Sequence, residues 1–186
     1  ENPFASLMGE ASASMSLEDA LLALDKAAKN DNVVGVYLEG GAMAANPGMA
    51  QELRQALVEF KKSGKWVVAY GDSYGKTAYY LSSVADSVLL NPEGNVDFSG
   101  MATQIMFFKD VMEKVGVKMQ VFKVGTYKSA VEPFICSEMS PANREQVTSY
   151  LFSIWTNMLK DVAESRNMEV GKLNSLADSL TMISDA

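Results

Sequence analysis

The chain has 186 residues, 48% hydrophobic and 21% charged, the make-up of an ordinary globular protein with room for one full core. Its formal net charge is −7, from 16 basic and 23 acidic residues without a basic cluster, which argues against nucleic acid as a partner. With no histidine and a single cysteine, Cys136, the chain has no Ser-His-Asp triad, no zinc site of the usual ligand types and no internal disulfide.

Ser16 ahead of Leu17, Glu18 and Asp19 reads as an N-cap with an acidic first turn. Leu21, Leu24 and Ala28 keep helical spacing from there to about Asn30. "VVGVYLE" (33–39) is a β-branched strand run closed by Gly40 and Gly41. Pro47 suits the first turn of a helix to about Ser63, with Leu53, Leu57 and Phe60 on one face and Gly64 as the stop. "KWVVAYG" (65–71) is continuously apolar and predicts a strand buried on both faces. "DSYG" turns into a helix from Lys76 to about Ala85, then comes a strand "SVLL" (87–90) and the turn-rich "NPEGNVDFSG" (91–100). A helix is expected over "FFKDVMEKVG" (107–116) and a strand over "VKMQVFKVG" (117–125). Pro141 opens a long helix to about Arg166, carrying Leu151, Ile154, Trp155, Met158 and Val162, and "EVGKLNSLADSL" adds a shorter one.

Strands alternating with helices predict a single α/β domain over 1–186 with a largely parallel sheet. Val34, Val36, Leu53, Leu57, Val67, Val68, Leu81, Val121 and Trp155 are the expected core, and the many methionines fill gaps in it. No apolar run approaches the roughly 20 residues that cross a bilayer, and no secretory leader opens the sequence. Starting at "ENPFASLMGE" without an initiator Met, the chain reads as a piece of a longer protein, with any membrane anchor lying outside it.

In open α/β sheets ligands gather at the C-terminal ends of the strands. "LEGGAMAANPG", "YGDSYGKTAYY" and "VGTYKSAVEPF" fall there. Their glycines fit neither a phosphate loop nor G-x-G-x-x-G and read as turn formers, so no nucleotide cofactor is expected. Lys128 admits two readings, a solvated loop lysine or a general base. A base must be neutral, and lowering a free pKa of about 10.4 by roughly three units costs about 4 kcal/mol. Tyr127, Ala130, Val131 and Phe134 are the flanking residues that could desolvate it. In a Ser-Lys dyad such a lysine takes the place of histidine and activates a serine for acyl transfer. Ser129 is a poor nucleophile for its neighbour, because adjacent side chains diverge, but it can orient the amine. Ser73, Ser82 and Ser83 read as turn and helix-face residues.

"VFKVGTYKSAVEPF" with the trailing "MSPANRE" resembles the amino-terminal half of long members of the signal peptide peptidase A, or protease IV, family. "ENPF", "YYLSSVAD", "NPEGNVDFSG" and "IWTNML" fit the same half, so the resemblance covers nearly the whole chain. It implies the Clp protease/crotonase fold and places Lys128 on the family's general base, with no cofactor. It also implies that the serine comes from a second copy of the fold, in a stretch ending Ser-Gly-Gly-Tyr. Here "DSYGKTAYYL" puts Lys76 at that degenerate nucleophile position, and Thr77 and Ala78 replace the two glycines. The chain therefore resembles the half that supplies the base without the nucleophile. The implied partners are its own carboxyl-terminal half, extended signal peptide remnants and further copies in a homo-oligomer. The implied place is the bacterial envelope, anchored to the inner membrane by a segment outside this chain with the catalytic part extracytoplasmic. Two other readings stay open: a crotonase-like acyl-thioester enzyme, and a non-catalytic scaffold with Lys128 merely exposed.

Overall fold

The computed structural model describes residues 15–40, 45–122 and 128–179. The chain packs as two compact units, one reaching Phe98 and the other spanning Ser99–Ser179.

In the first unit, α1 (Leu17–Lys29) starts where Ser16 Oγ accepts the Asp19 N–H at 3.1 Å, the cap read from the sequence. β1 (Gly35–Gly40) leads to α2 (Pro47–Lys61), whose N-cap Asn46 accepts the Met49 N–H at 2.9 Å. β2 (Trp66–Gly71), α3 (Lys76–Ser82) and β3 (Ser87–Leu90) come next. The strands form a parallel sheet in the order β1-β2-β3, with Val36 beside Val67 and Ala69 beside Val88. This is the α/β architecture expected, a parallel sheet flanked by helices.

Period-two alternation decides which side chains of the sheet are sealed. Val67 and Ala69 are 0% exposed, packed with Phe60 and Ala85 and bordered by Leu24, Ala28, Val36 and Leu38. Burying a side chain such as Phe60 contributes roughly 1.5–3 kcal/mol. The opposite face departs from the expectation of burial on both sides. There Tyr37, Trp66 and Leu89 remain 57%, 45% and 51% exposed, and Val68 is half-buried. A continuous apolar run shows that both faces can be covered, not that this chain covers both. Trp66 lies flat across Gly35, where a Cβ would stand 2.1 Å from its ring, so that glycine is needed for the close approach. Val34, expected in the core, is 68% exposed because it precedes β1. Leu57, Leu81 and Trp155 are buried as expected, whereas Leu53 and Val121 are half-buried.

Two cations pin α2 to the C-terminal end of α3 and the turn after it. Arg54, 4% exposed, donates to the Tyr80 carbonyl and to Ser83 Oγ at 2.7 Å, with its guanidinium 4.7 Å from the Tyr80 ring centre. Lys61 donates to the Val84 carbonyl at 2.8 Å and pairs with Asp86 at 2.7 Å. Asp86 in turn accepts the Val67 N–H at 2.8 Å. The predicted helix to Ala85 stops at Ser82, because the Val84 and Ala85 N–H groups bond Leu81 and Ser82 carbonyls in a tighter turn.

The second unit holds α4 (Lys109–Lys114), a 3-10 turn (Ser129–Val131), α5 (Glu132–Ile135), α6 (Pro141–Arg166) and α7 (Val170–Asp178). α6 has the bounds that the sequence predicts, from its Ser140 N-cap to Asn167 in the left-handed conformation at φ 51°. Trp155 Nε1 donates to Asn174 at 2.9 Å, joining α6 to α7, while Val162 and Leu173 are both 0% exposed. One predicted element is corrected: residues 117–122 form no strand, and 123–125 lie outside the described residues. The alternating pattern is present, but a strand also needs a neighbour for its ladder. Phe122 stays 91% exposed and Met119 48%.

Candidate active site

Lys128 heads a short helical rod. Its backbone, at φ −96° and ψ 72°, leads into the 3-10 turn that α5 continues. The Glu132 N–H donates to the Ser129 carbonyl, and the Cys136 N–H to the Glu132 carbonyl at 2.8 Å. Lys128 itself is exposed within this chain. The desolvation expected from its neighbours is not supplied here: Ala130 is exposed, and Phe134 stacks with Phe108, ring centres 6.0 Å apart. Tyr127 and the preceding "KVGT" lie outside the described residues. Ser129 is half-buried, and its hydroxyl donates to Gln146 of α6 at 3.5 Å, the outer limit for such a bond.

One helical turn beyond Lys128, Glu132 is 2% exposed. Its Oε1 accepts from Ser140 Oγ at 2.6 Å, and its Oε2 from the Ser140 N–H at 3.2 Å and Asn143 Nδ2 at 2.9 Å. Ser140 is the N-cap of α6 and also accepts the Asn143 N–H at 3.2 Å. The buried carboxylate thus does for α6 what the glutamate of a capping box does for its own helix, from a separate segment. A helix N-terminus favours negative charge, which offsets part of the desolvation cost of burying it. Sequence reasoning passed over Glu132. The available signal was a Glu-Pro pair inside the otherwise apolar "AVEPFI", a few residues ahead of a Ser-Pro helix start.

The β2–α3 connection is built differently. Tyr74, 1% exposed, forms a parallel bridge with Val96, donates its N–H to Asn95 at 2.9 Å and accepts from the Asp97 N–H at 2.7 Å. Its hydroxyl donates to the Leu89 carbonyl at 3.0 Å. The ring lies against the C-terminal ends of β1 and β2, so closely that a Cβ at Gly40 would fall 2.4 Å from it. This ring fills the strand-end space where α/β sheets commonly seat a ligand. Burial pushes the Tyr74 phenol above its ordinary range. Nearby, Asp72 accepts from Tyr70 at 3.1 Å and Asn91 at 2.9 Å, and the bond from Tyr70 raises that phenol.

Lys76 is the first residue of α3, half-buried, behind a Gly75 N-cap that offers no side-chain bond. Thr77 is half-buried and Ala78 is 4% exposed. Its amine stands at a helix start, where a cation has the unfavourable sign for the dipole. The loop after β1 is described only outside 41–44. Among the described residues, no group of His, Cys, Asp and Glu could hold a metal ion, and no helix is long and apolar enough to cross a membrane.

Residues 59–183 match peptidase family S49. The chain is 38% identical over 174 residues to Protease 4 of Salmonella typhi, covering 90% of this chain and 28% of that protein. It is 34% identical over 164 residues to Protease 4 of Haemophilus influenzae, covering 86% of the chain and 26% of the relative. The chloroplastic serine protease SPPA of Arabidopsis thaliana is 33% identical over 140 residues, covering 75% of the chain and 21% of the relative. The chain therefore spans between a fifth and a third of the length of these relatives. With a family match over most of its length and an α/β fold carrying a parallel sheet, the chain belongs to peptidase family S49.

Proposed function

We propose that the chain is the lysine-bearing part of a serine endopeptidase of the Ser-Lys type, acting on cleaved signal peptides in the bacterial envelope. The observation that carries this reading is the contrast between its two candidate positions. Lys128 is displayed at the head of an anchored rod, whereas the position corresponding to the nucleophile holds Lys76. Lys128 takes the proton of a serine hydroxyl as that oxygen attacks the peptide carbonyl. It then returns the proton to the leaving amine. The serine belongs to a carboxyl-terminal part of the protein, and that part also closes over Lys128 and supplies the desolvation a neutral amine requires.

The substrate lies as an extended apolar segment in a groove shared by the two parts. The exposed apolar sheet face with Tyr37, Trp66 and Leu89 supports assembly with further copies of the fold in a homo-oligomer. Membrane attachment is through a segment outside this chain. The test is hydrolysis of an apolar peptide by residues 1–186 alone and by the complete peptidase. The complete protein is expected to cleave and the isolated chain to be inert. Robust hydrolysis by the isolated chain would refute the division of labour.

A further inference from the structure

We infer that Glu132 is a positioning residue for Lys128, acting through the N-terminus of α6; the inference rests on the base reading of Lys128 above. Lys128 is exposed, so contacts around its own side chain leave its direction open. What is fixed is the backbone beneath it. From Ser129 to Cys136 the chain is closed by its own hydrogen bonds, and the middle of that run is held by Glu132. Glu132 joins it to Ser140 and Asn143 at the start of a long helix. The Phe108 N–H adds a bond to the Pro133 carbonyl at 2.6 Å.

A buried carboxylate surrounded by donors has a defined place, because any displacement leaves charge or N–H groups unsatisfied. α6 therefore acts as the rigid support, Glu132 as the joint, and the 3-10 turn as the arm that carries the lysine. Replacing Glu132 by Gln keeps the shape but removes the charge and one acceptor. With the amide oxygen on Asn143 Nδ2 and the Ser140 N–H, the NH2 faces the Ser140 hydroxyl, which must turn away and give up its bond to the carboxylate. The joint then loosens, although the side chain is nearly unchanged in volume.

The experiment compares Glu132→Gln, the double variant Glu132→Gln/Asn143→Asp, and Lys128→Ala in the complete peptidase. Rates are measured on one peptide substrate well below the melting temperature and normalised to the folded fraction. Misplacing a catalytic group by about 1 Å can cost about 100-fold, so Glu132→Gln is expected to lower kcat about 10- to 100-fold with KM within about twofold. The double variant returns the carboxylate to the joint from the other side, and kcat should recover at least half of the logarithmic loss. A purely structural role would lower the melting temperature and leave kcat per folded molecule unchanged. A folded Glu132→Gln with normal kcat, beside a dead Lys128→Ala, overturns the positioning role alone. Near-normal turnover in Lys128→Ala overturns the base assignment, and this inference with it. Should Glu132→Gln fail to fold, Asn143→Ala removes a single donor and is read the same way, with a smaller loss of kcat expected and none contradicting the role.

Discussion

The segments that carry Lys76 and Lys128 are held in opposite ways. Beside Lys76, the surrounding fixtures are buried groups that seal the fold: the Tyr74 ring against the ends of β1 and β2, and Arg54 bonded at the far end of α3. Beside Lys128, the fixture is a carboxylate one helical turn along, and the lysine itself is left in the open. The difference separates support from chemistry. In the proposed function, a group that closes the fold is surrounded by its own chain, whereas the base is displayed and its anchor is hidden.

The most severe challenge to this contrast is to remove the displayed lysine. Lys128→Ala in the complete peptidase is expected to lower kcat/KM about 10²- to 10⁴-fold, the usual cost of losing a general base, with an unchanged thermal melt. A matching fall in melting temperature would make Lys128 another structural fixture. Next is the buried support of the first unit. Arg54→Ala strips charged hydrogen bonds from the Tyr80 carbonyl and Ser83 hydroxyl, and should destabilise by about 2–4 kcal/mol in denaturant titrations. Tyr74→Phe keeps the ring over the strand ends and loses the bond to Leu89, so about 1 kcal/mol is expected.

Acid gives a gentler probe of the same unit. Lys61 and the Val67 N–H hold the Asp86 carboxyl below its ordinary range. A depressed folded pKa means that the folded state binds fewer protons than the unfolded chain near pH 4. The contribution is therefore complete above the ordinary carboxylate pKa of about 3.9 and is lost as pH falls through the lower folded value. Thermal melts between about pH 6 and 2 should show Asp86→Asn losing part of the wild-type acid slope; an unaltered slope would contradict it. The smallest effect on catalysis is assigned to Lys76→Ala, which should leave turnover near normal. A dead but well-folded Lys76→Ala would exchange the roles of the two lysines.

Much of this architecture was legible in the residues. Caps and helix-opening prolines did most of it: Ser16, Pro47 and Pro141 each mark an observed helix start. The strand expected over 117–125 failed over 117–122, because alternation reports a local preference and pairing is a long-range fact. The open sheet face was illegible for a related reason, since an apolar run does not say what covers it. Lys128 could be picked out through its motif. Glu132 lay in the same motif and was missed, because only the fold brings its carboxylate against Ser140 and Asn143.

In the proposed division of labour, this chain gives the base and another part of the protein gives the nucleophile. A serine-directed phosphonate applied to the complete peptidase, with mass spectrometric location of the label, tests it most directly. One labelled serine is expected outside residues 1–186, with labelling slowed about 100-fold or more in Lys128→Ala. A label on Ser129, or on any other serine of this chain, would contradict it.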